Sequence, residues 1–169
     1  TRFSMWREEF RSFVADREAG KGDRMPNLSI VRFSNNHTSG LSPGTPTPQF
    51  MVADNDLAVG LLVQELSHSP YWRDTAVVVL EDDAQNGPDH VDGHRSPALV
   101  ISAYNRPGAL IHEFHNTVSA IRTIELLLGV EPMNVLDAAA VPIDIFQSEP
   151  DLSPFEAVLP TISADNLMN

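Results

Sequence analysis

The chain contains no cysteine, which removes disulfides, thiol nucleophiles and thiolate metal ligands and leaves the chemistry to oxygen and nitrogen groups. Basic residues are scarce: 11 Lys and Arg stand against 23 Asp and Glu, for a formal net charge of -12. A surface that acidic repels nucleic acid and anionic membrane, so neither is expected as a general partner. Apolar runs are short, and none approaches the roughly 18 residues needed to cross a bilayer. The sequence has no Gly-x-Ser-x-Gly elbow, no phosphate-cradling glycine motif, no dinucleotide fingerprint and no internal repeat. Its length of 169 residues suits one domain with a substantial core. Thr1 stands where a methionine would begin a complete chain, so processing, or derivation from something longer, is expected.

What is present centres on Ala76-Val77-Val78-Val79-Leu80 and the acids Glu81, Asp82 and Asp83 that follow. A mostly β-branched apolar run predicts a strand buried on both faces, the kind found in parallel sheets covered by helices. The loop after it carries Asp89, His90, Asp92, His94 and Arg95 among glycine, proline and asparagine. Sites in open α/β sheets form at the carboxyl ends of strands, so this acid and imidazole loop is a candidate for a divalent metal or a phosphate. The competing reading is a solvated acidic loop. Adjacent Asp82 and Asp83 repel each other if both are ionised, and a cation would offset that. His90 and His94 share the spacing of a helix face, yet the glycines favour a loop. Asp89 or Asp92 would orient a ligand imidazole through its second nitrogen, and Arg95 would pair with these acids or with a phosphate.

Elsewhere, Phe3, Trp6, Phe10, Phe13 and Val14 predict an amphipathic helix over residues 3–17. Leu28 to Phe33 is a candidate strand ending in a polar cluster with His37, either a turn residue or a neighbour of Asp82 on a common rim. Gly40 to Pro48 reads as a loop. Phe50 to Leu66 reads as a helix, with Asp54 and Asp56 placed early enough to meet the positive end of its dipole. That helix would cross between parallel strands. Ala98 to Ser102 is a further strand. His112 and His115 precede a helix over 117–128 whose packing face is Val118, Ile121, Ile124, Leu127 and Leu128, with Gly129 as its stop. Both histidines read as exposed or cap-like. Asp137 to Val141 is a short helix broken at Pro142, Ile143, Ile145 and Phe146 dock on the body, and the chain from Ser148 onward reads as an ill-ordered tail.

The segment from Glu81 to Arg95, with Asn35-Asn36-His37-Thr38, Ala53-Asp54-Asn55-Asp56, Ser69-Pro70-Tyr71-Trp72 and Arg122-Thr123-Ile124-Glu125, closely resembles the bacterial phosphoesterase family. That family is related to phospholipase C and acid phosphatase within the alkaline-phosphatase superfamily. The resemblance covers roughly residues 26–159. It implies an α/β fold with a mostly parallel sheet and flanking helices, a partial alkaline-phosphatase-like fold. Residues 1–25 are then an N-terminal helix and connection, 26–159 the C-terminal portion of a phosphoesterase domain and 160–169 a tail.

The activity implied is metal-dependent hydrolysis of phosphate esters, in which a serine or threonine attacks phosphorus and water resolves the intermediate. Asp82 and Asp83 match the family's acidic pair, His94 or else His90 resembles its later histidine ligand, and His37 its earlier one. The metal is a divalent ion such as Zn, Mn, Ca or Mg, and the substrate a phosphate-ester small molecule or a phospholipid headgroup. Asn36 stands where the family often has aspartate, and Ala84, Gln85 and Asn86 replace the histidine and glycines of its phospholipase branch. In the superfamily the nucleophile and the first acidic ligand come from a preceding N-terminal portion, which is therefore an expected partner. The resemblance is compatible with a bacterial, exported setting. The alternative is a catalytically inactive binding or structural module on the same scaffold.

Overall fold

The computed structural model describes residues 2–33, 42–81 and 96–162. The chain divides into two compact units, one formed by Thr1–Asp74 with Leu152–Asn169 and the other by Thr75–Asp151.

In the first unit, α1 (Arg2–Glu18) packs on α2 (Pro48–Ser67). The aromatic spacing of the sequence becomes a ladder along one face of α1. Trp6 stacks on Phe10 at 5.1 Å between centroids, Phe3 flanks Trp6 at 5.9 Å, and Phe10 meets Tyr71 at 5.9 Å. Phe10 is the anchor, with 2% of its surface exposed. Outside it, the Arg11 guanidinium forks onto Glu65 of α2 through bonds of 2.9 and 2.7 Å. The α2 helix begins where Thr47 Oγ1 accepts the Phe50 amide, with Pro48 in the first turn, where its missing N–H costs nothing. This start precedes Phe50, so Asp54 and Asp56 fall beyond the first turn and the dipole explanation for them weakens.

Two expectations for this unit change. Leu28 to Phe33 is not a strand: among the described residues it pairs with no ladder, and Ile30 is 91% exposed. Alternating apolar residues give a strand only where a neighbour satisfies the backbone. The segment after Ser148 is ordered as far as it is described, through Ile162. Polar side chains of α2 receive its backbone: Ser67 Oγ accepts the Phe155 amide at 2.9 Å and Gln64 Oε1 accepts the Ala157 amide at 2.8 Å. His68 Nε2 lies 2.9 Å from Glu156. Gly60 permits this approach, since a Cβ there would stand 3.4 Å from that of Ala157.

The second unit contains β1 (Ala76–Leu80), β2 (Ala98–Ser102), α3 (Thr117–Leu128) and α4 (Val135–Ala138). The architecture is mixed α/β, and among the described residues the sheet is a two-stranded antiparallel ribbon; the expected mostly parallel sheet is not seen there. Its register runs from Ala76 opposite Ser102 to Leu80 opposite Ala98. The connection leaves β1 and enters β2 at the same end, as an antiparallel pair allows; a parallel neighbour would require the chain to cross to the far end. A two-stranded ribbon also lacks the layers that would bury both faces, so Val77 to Val79 are only half-buried and Leu80 is exposed.

The α3 bounds coincide with the predicted ones. Asn116 and Ser119 form a reciprocal capping box, and Gly129 ends the helix in the left-handed region at φ 67°. The buried face differs from the predicted one. Ser119, Ala120, Thr123 and Glu125 are buried, whereas Leu127 and Leu128 are exposed. The short helix also sits earlier than expected, because Asn134 caps it and Asp137 closes the box. Ile145 and Phe146 dock as read: Phe146 bridges to Asn105, and the Arg106 amide donates to Ile145 O at 2.8 Å.

Candidate functional site

The acid and histidine loop is anchored by the ribbon. Leu80 and Ala98 are paired partners, so the chain entering the loop at Glu81 and leaving it at Pro97 does so from neighbouring strand ends. Glu81 continues β1 and is half-buried. The candidate ligands themselves, His37, Asp82, Asp83, His90 and His94, lie outside the described residues, as do Asn36, Asp89, Asp92 and Arg95. Among the described residues no group of three or more histidine, aspartate or glutamate side chains converges as a metal site would require. His112 is exposed, His115 precedes the Asn116 cap with its Nδ1 buried and lacking a hydrogen-bond partner, and His68 pairs with Glu156.

Two of the described sequence motifs build architecture. In Ser69-Pro70-Tyr71-Trp72, the buried Tyr71 donates its hydroxyl to Asp23 at 2.9 Å while the Arg17 guanidinium lies 4.4 Å above its ring. Burial raises the Tyr71 hydroxyl above its ordinary pKa, and the Asp23 carboxylate reinforces the shift, because both penalise a phenolate. This ties the turn after α2 to the end of α1.

In Arg122-Thr123-Ile124-Glu125, the buried Thr123 hydroxyl donates to Ser119 O and accepts the Ile143 amide, each at 2.8 Å. Glu125 Oε1 accepts the Met133 amide at 3.2 Å, and its other oxygen faces Arg122 at 3.3 Å. Asp137 Oδ2 accepts the same Met133 amide at 2.8 Å, and Oδ1 accepts that of Asn134, also at 2.8 Å. Burial alone would raise the Asp137 carboxyl. The hydrogen bond with Glu125 and the backbone amides outweigh it and hold the group below its ordinary value. The sequence signal for this hub was the Asn-x-x-Asp box before a short helix; that Thr123 and Glu125 are buried was hidden by the more apolar residues around them.

A model of the Phosphoesterase family matches residues 1–131. No curated protein and no solved structure matches the chain.

Proposed function

The chain belongs to the phosphoesterase family, and from that premise we propose that it serves the hydrolysis of phosphate esters through a metal site on the loop between β1 and β2. The observation carrying this reading is the family match over a segment that includes the whole acid and histidine loop. The pairing of Leu80 with Ala98 supports it by fixing both loop ends at one edge of the ribbon.

Asp82, Asp83 and His94 are proposed as the principal ligands, with His90 as the alternative imidazole and His37 as a contributor from the earlier segment. Carboxylate oxygens and imidazole nitrogens suit Zn, Mn or Mg, and a carboxylate-dominated set suits Ca. A bound divalent ion would neutralise charge developing on the phosphoryl oxygens. Arg95 is proposed to bind a phosphate oxygen through its guanidinium. The nucleophile is assigned to no residue here; the resemblance puts it N-terminal to these motifs. A phosphate-ester small molecule or a phospholipid headgroup is the proposed substrate class.

The full-length product should hydrolyse a phosphomonoester or phosphodiester in a chelator-sensitive manner. The combined Asp82→Asn, Asp83→Asn and His94→Ala variant should lose stoichiometric divalent-metal binding by calorimetry and, with it, turnover. Chelator-insensitive metal titrations and no turnover from the parent protein would instead favour the inactive binding or structural module, a reading supported by the architectural roles of the two motifs above.

A further inference from the structure

The packing of the first unit leaves part of the aromatic face of α1 open, since Trp6 and Phe13 are only half-buried. Between that face and the extended segment after it lies a pocket of about 200 Å³. Trp6, Glu9 and Phe13 line it from α1, spaced by three and four so that they share one helix face. Ser29, Ile30 and Val31 line it from the segment that pairs with no ladder. Every lining residue belongs to the first unit. Ile30, 91% exposed, is apolar surface that an occupant of the pocket would cover.

Volume, ring geometry and charge together define what fits. The pocket exceeds the roughly 150 Å³ of an apolar cavity that takes up benzene, so one six-membered ring with a short arm has room. The faces of the lining rings are largely engaged. Trp6 stacks on Phe10 and is flanked by Phe3, and the Arg24 guanidinium lies 5.7 Å from the Phe13 centroid. A bare ammonium therefore finds little open ring face, whereas an aromatic ring can meet ring edges and aliphatic carbon. Glu9 supplies the one acidic or basic side chain of the lining. Among the described residues its carboxylate has no ion pair or hydrogen bond. Two cations of the same unit are engaged elsewhere, Arg24 on Asp16 at 2.6 Å and Arg7 over the Phe3 ring at 5.3 Å. The net charge of -12 also draws a cation towards the chain.

We propose that this pocket binds a small aromatic amine, with the ring against Trp6 and Ile30 and the ammonium on the Glu9 carboxylate. The ring supplies affinity by covering apolar surface, and the ion pair selects the charged ligand over a neutral one of the same shape. The site uses no residue of the acid and histidine loop, so it does not depend on the phosphoester reading.

The probe is 2-phenylethylammonium, with 2-phenylethanol as its neutral counterpart, each titrated into the full chain. The Trp6 indole N–H and the Ile30 and Val31 methyl groups are followed by NMR. Saturable shifts at all three residues are expected, with the amine bound about fivefold more tightly than the alcohol, the upper range for an exposed ion pair. In Glu9→Gln, a substitution at an exposed position, the preference should vanish while the alcohol binds as in the parent. Ile30→Ser should weaken both probes alike. Absence of saturable shifts at these residues overturns the site. Equal binding of the two probes by the parent chain, or a preference that survives in Glu9→Gln, overturns the assignment of the amine to Glu9 and with it the ligand class.

Discussion

Thr123 shows how much of the second unit rests on single polar atoms. Its hydroxyl is at once a donor to the preceding helical turn and the acceptor for the incoming Ile143 amide. Replacing it with the near-isosteric valine keeps the volume and orphans that amide in a buried position. Thr123→Val should therefore lose about 1–3 kcal/mol in urea unfolding, the cost of an unsatisfied buried donor. Thr123→Ser should retain most of the stability, because it keeps the hydroxyl. Undiminished stability in Thr123→Val would show that the hydroxyl contributes none of it. At this scale the sequence was a partial guide: the stop at Gly129 was read from local backbone chemistry alone, whereas the caps Asn116 and Asn134 emerged with the structure. The burial of Thr123 and Glu125 was not legible either, because a helix face is chosen by what packs against it.

The helix α1 illustrates which of two neighbouring contacts dominates an element. Phe10 lies in the ring ladder and is almost wholly buried, whereas the adjacent Arg11 forms a well-shaped fork on Glu65 with its own side chain 62% exposed. Phe10→Ala should cost about 3–5 kcal/mol, as expected for a cavity left by a buried ring. Arg11→Ala should cost about 0.2–1 kcal/mol, because solvent screens the exposed partner. Denaturant midpoints of the two variants would check the ranking, and a larger loss for Arg11→Ala would mean the ion pair, not the rings, holds α1. The elements α1, α2 and α3 were readable because helix signals are local. The strand expected over Leu28 to Phe33 and the parallel arrangement of the sheet were not, because a strand is completed by a partner that its own residues do not name.

For the whole molecule, the net charge of -12 and the proposed metal site meet in one expectation. An ion that binds the folded chain at Asp82, Asp83 and His94 stabilises it by mass action, about 2.7 kcal/mol at a hundredfold excess over its dissociation constant. A divalent metal should therefore raise the thermal midpoint of the parent chain, and chelation should reverse the rise. The triple ligand variant should show no shift; a shift that survives in it would move the site elsewhere. The sequence by itself determined the family, the presence of α1, α2 and α3, the bounds of α3 with its stop at Gly129 and the exclusion of thiol chemistry. Each of these is written in residue types and short spacings. Only the tertiary structure decided that β1 and β2 pair antiparallel, that α3 buries a polar face and that Glu125 and Asp137 meet over one amide. It also decided that Phe155 and Ala157 bond to the side chains of α2. All four depend on contacts between segments distant in sequence, and those are chosen by the balance of burial and backbone satisfaction over a whole unit.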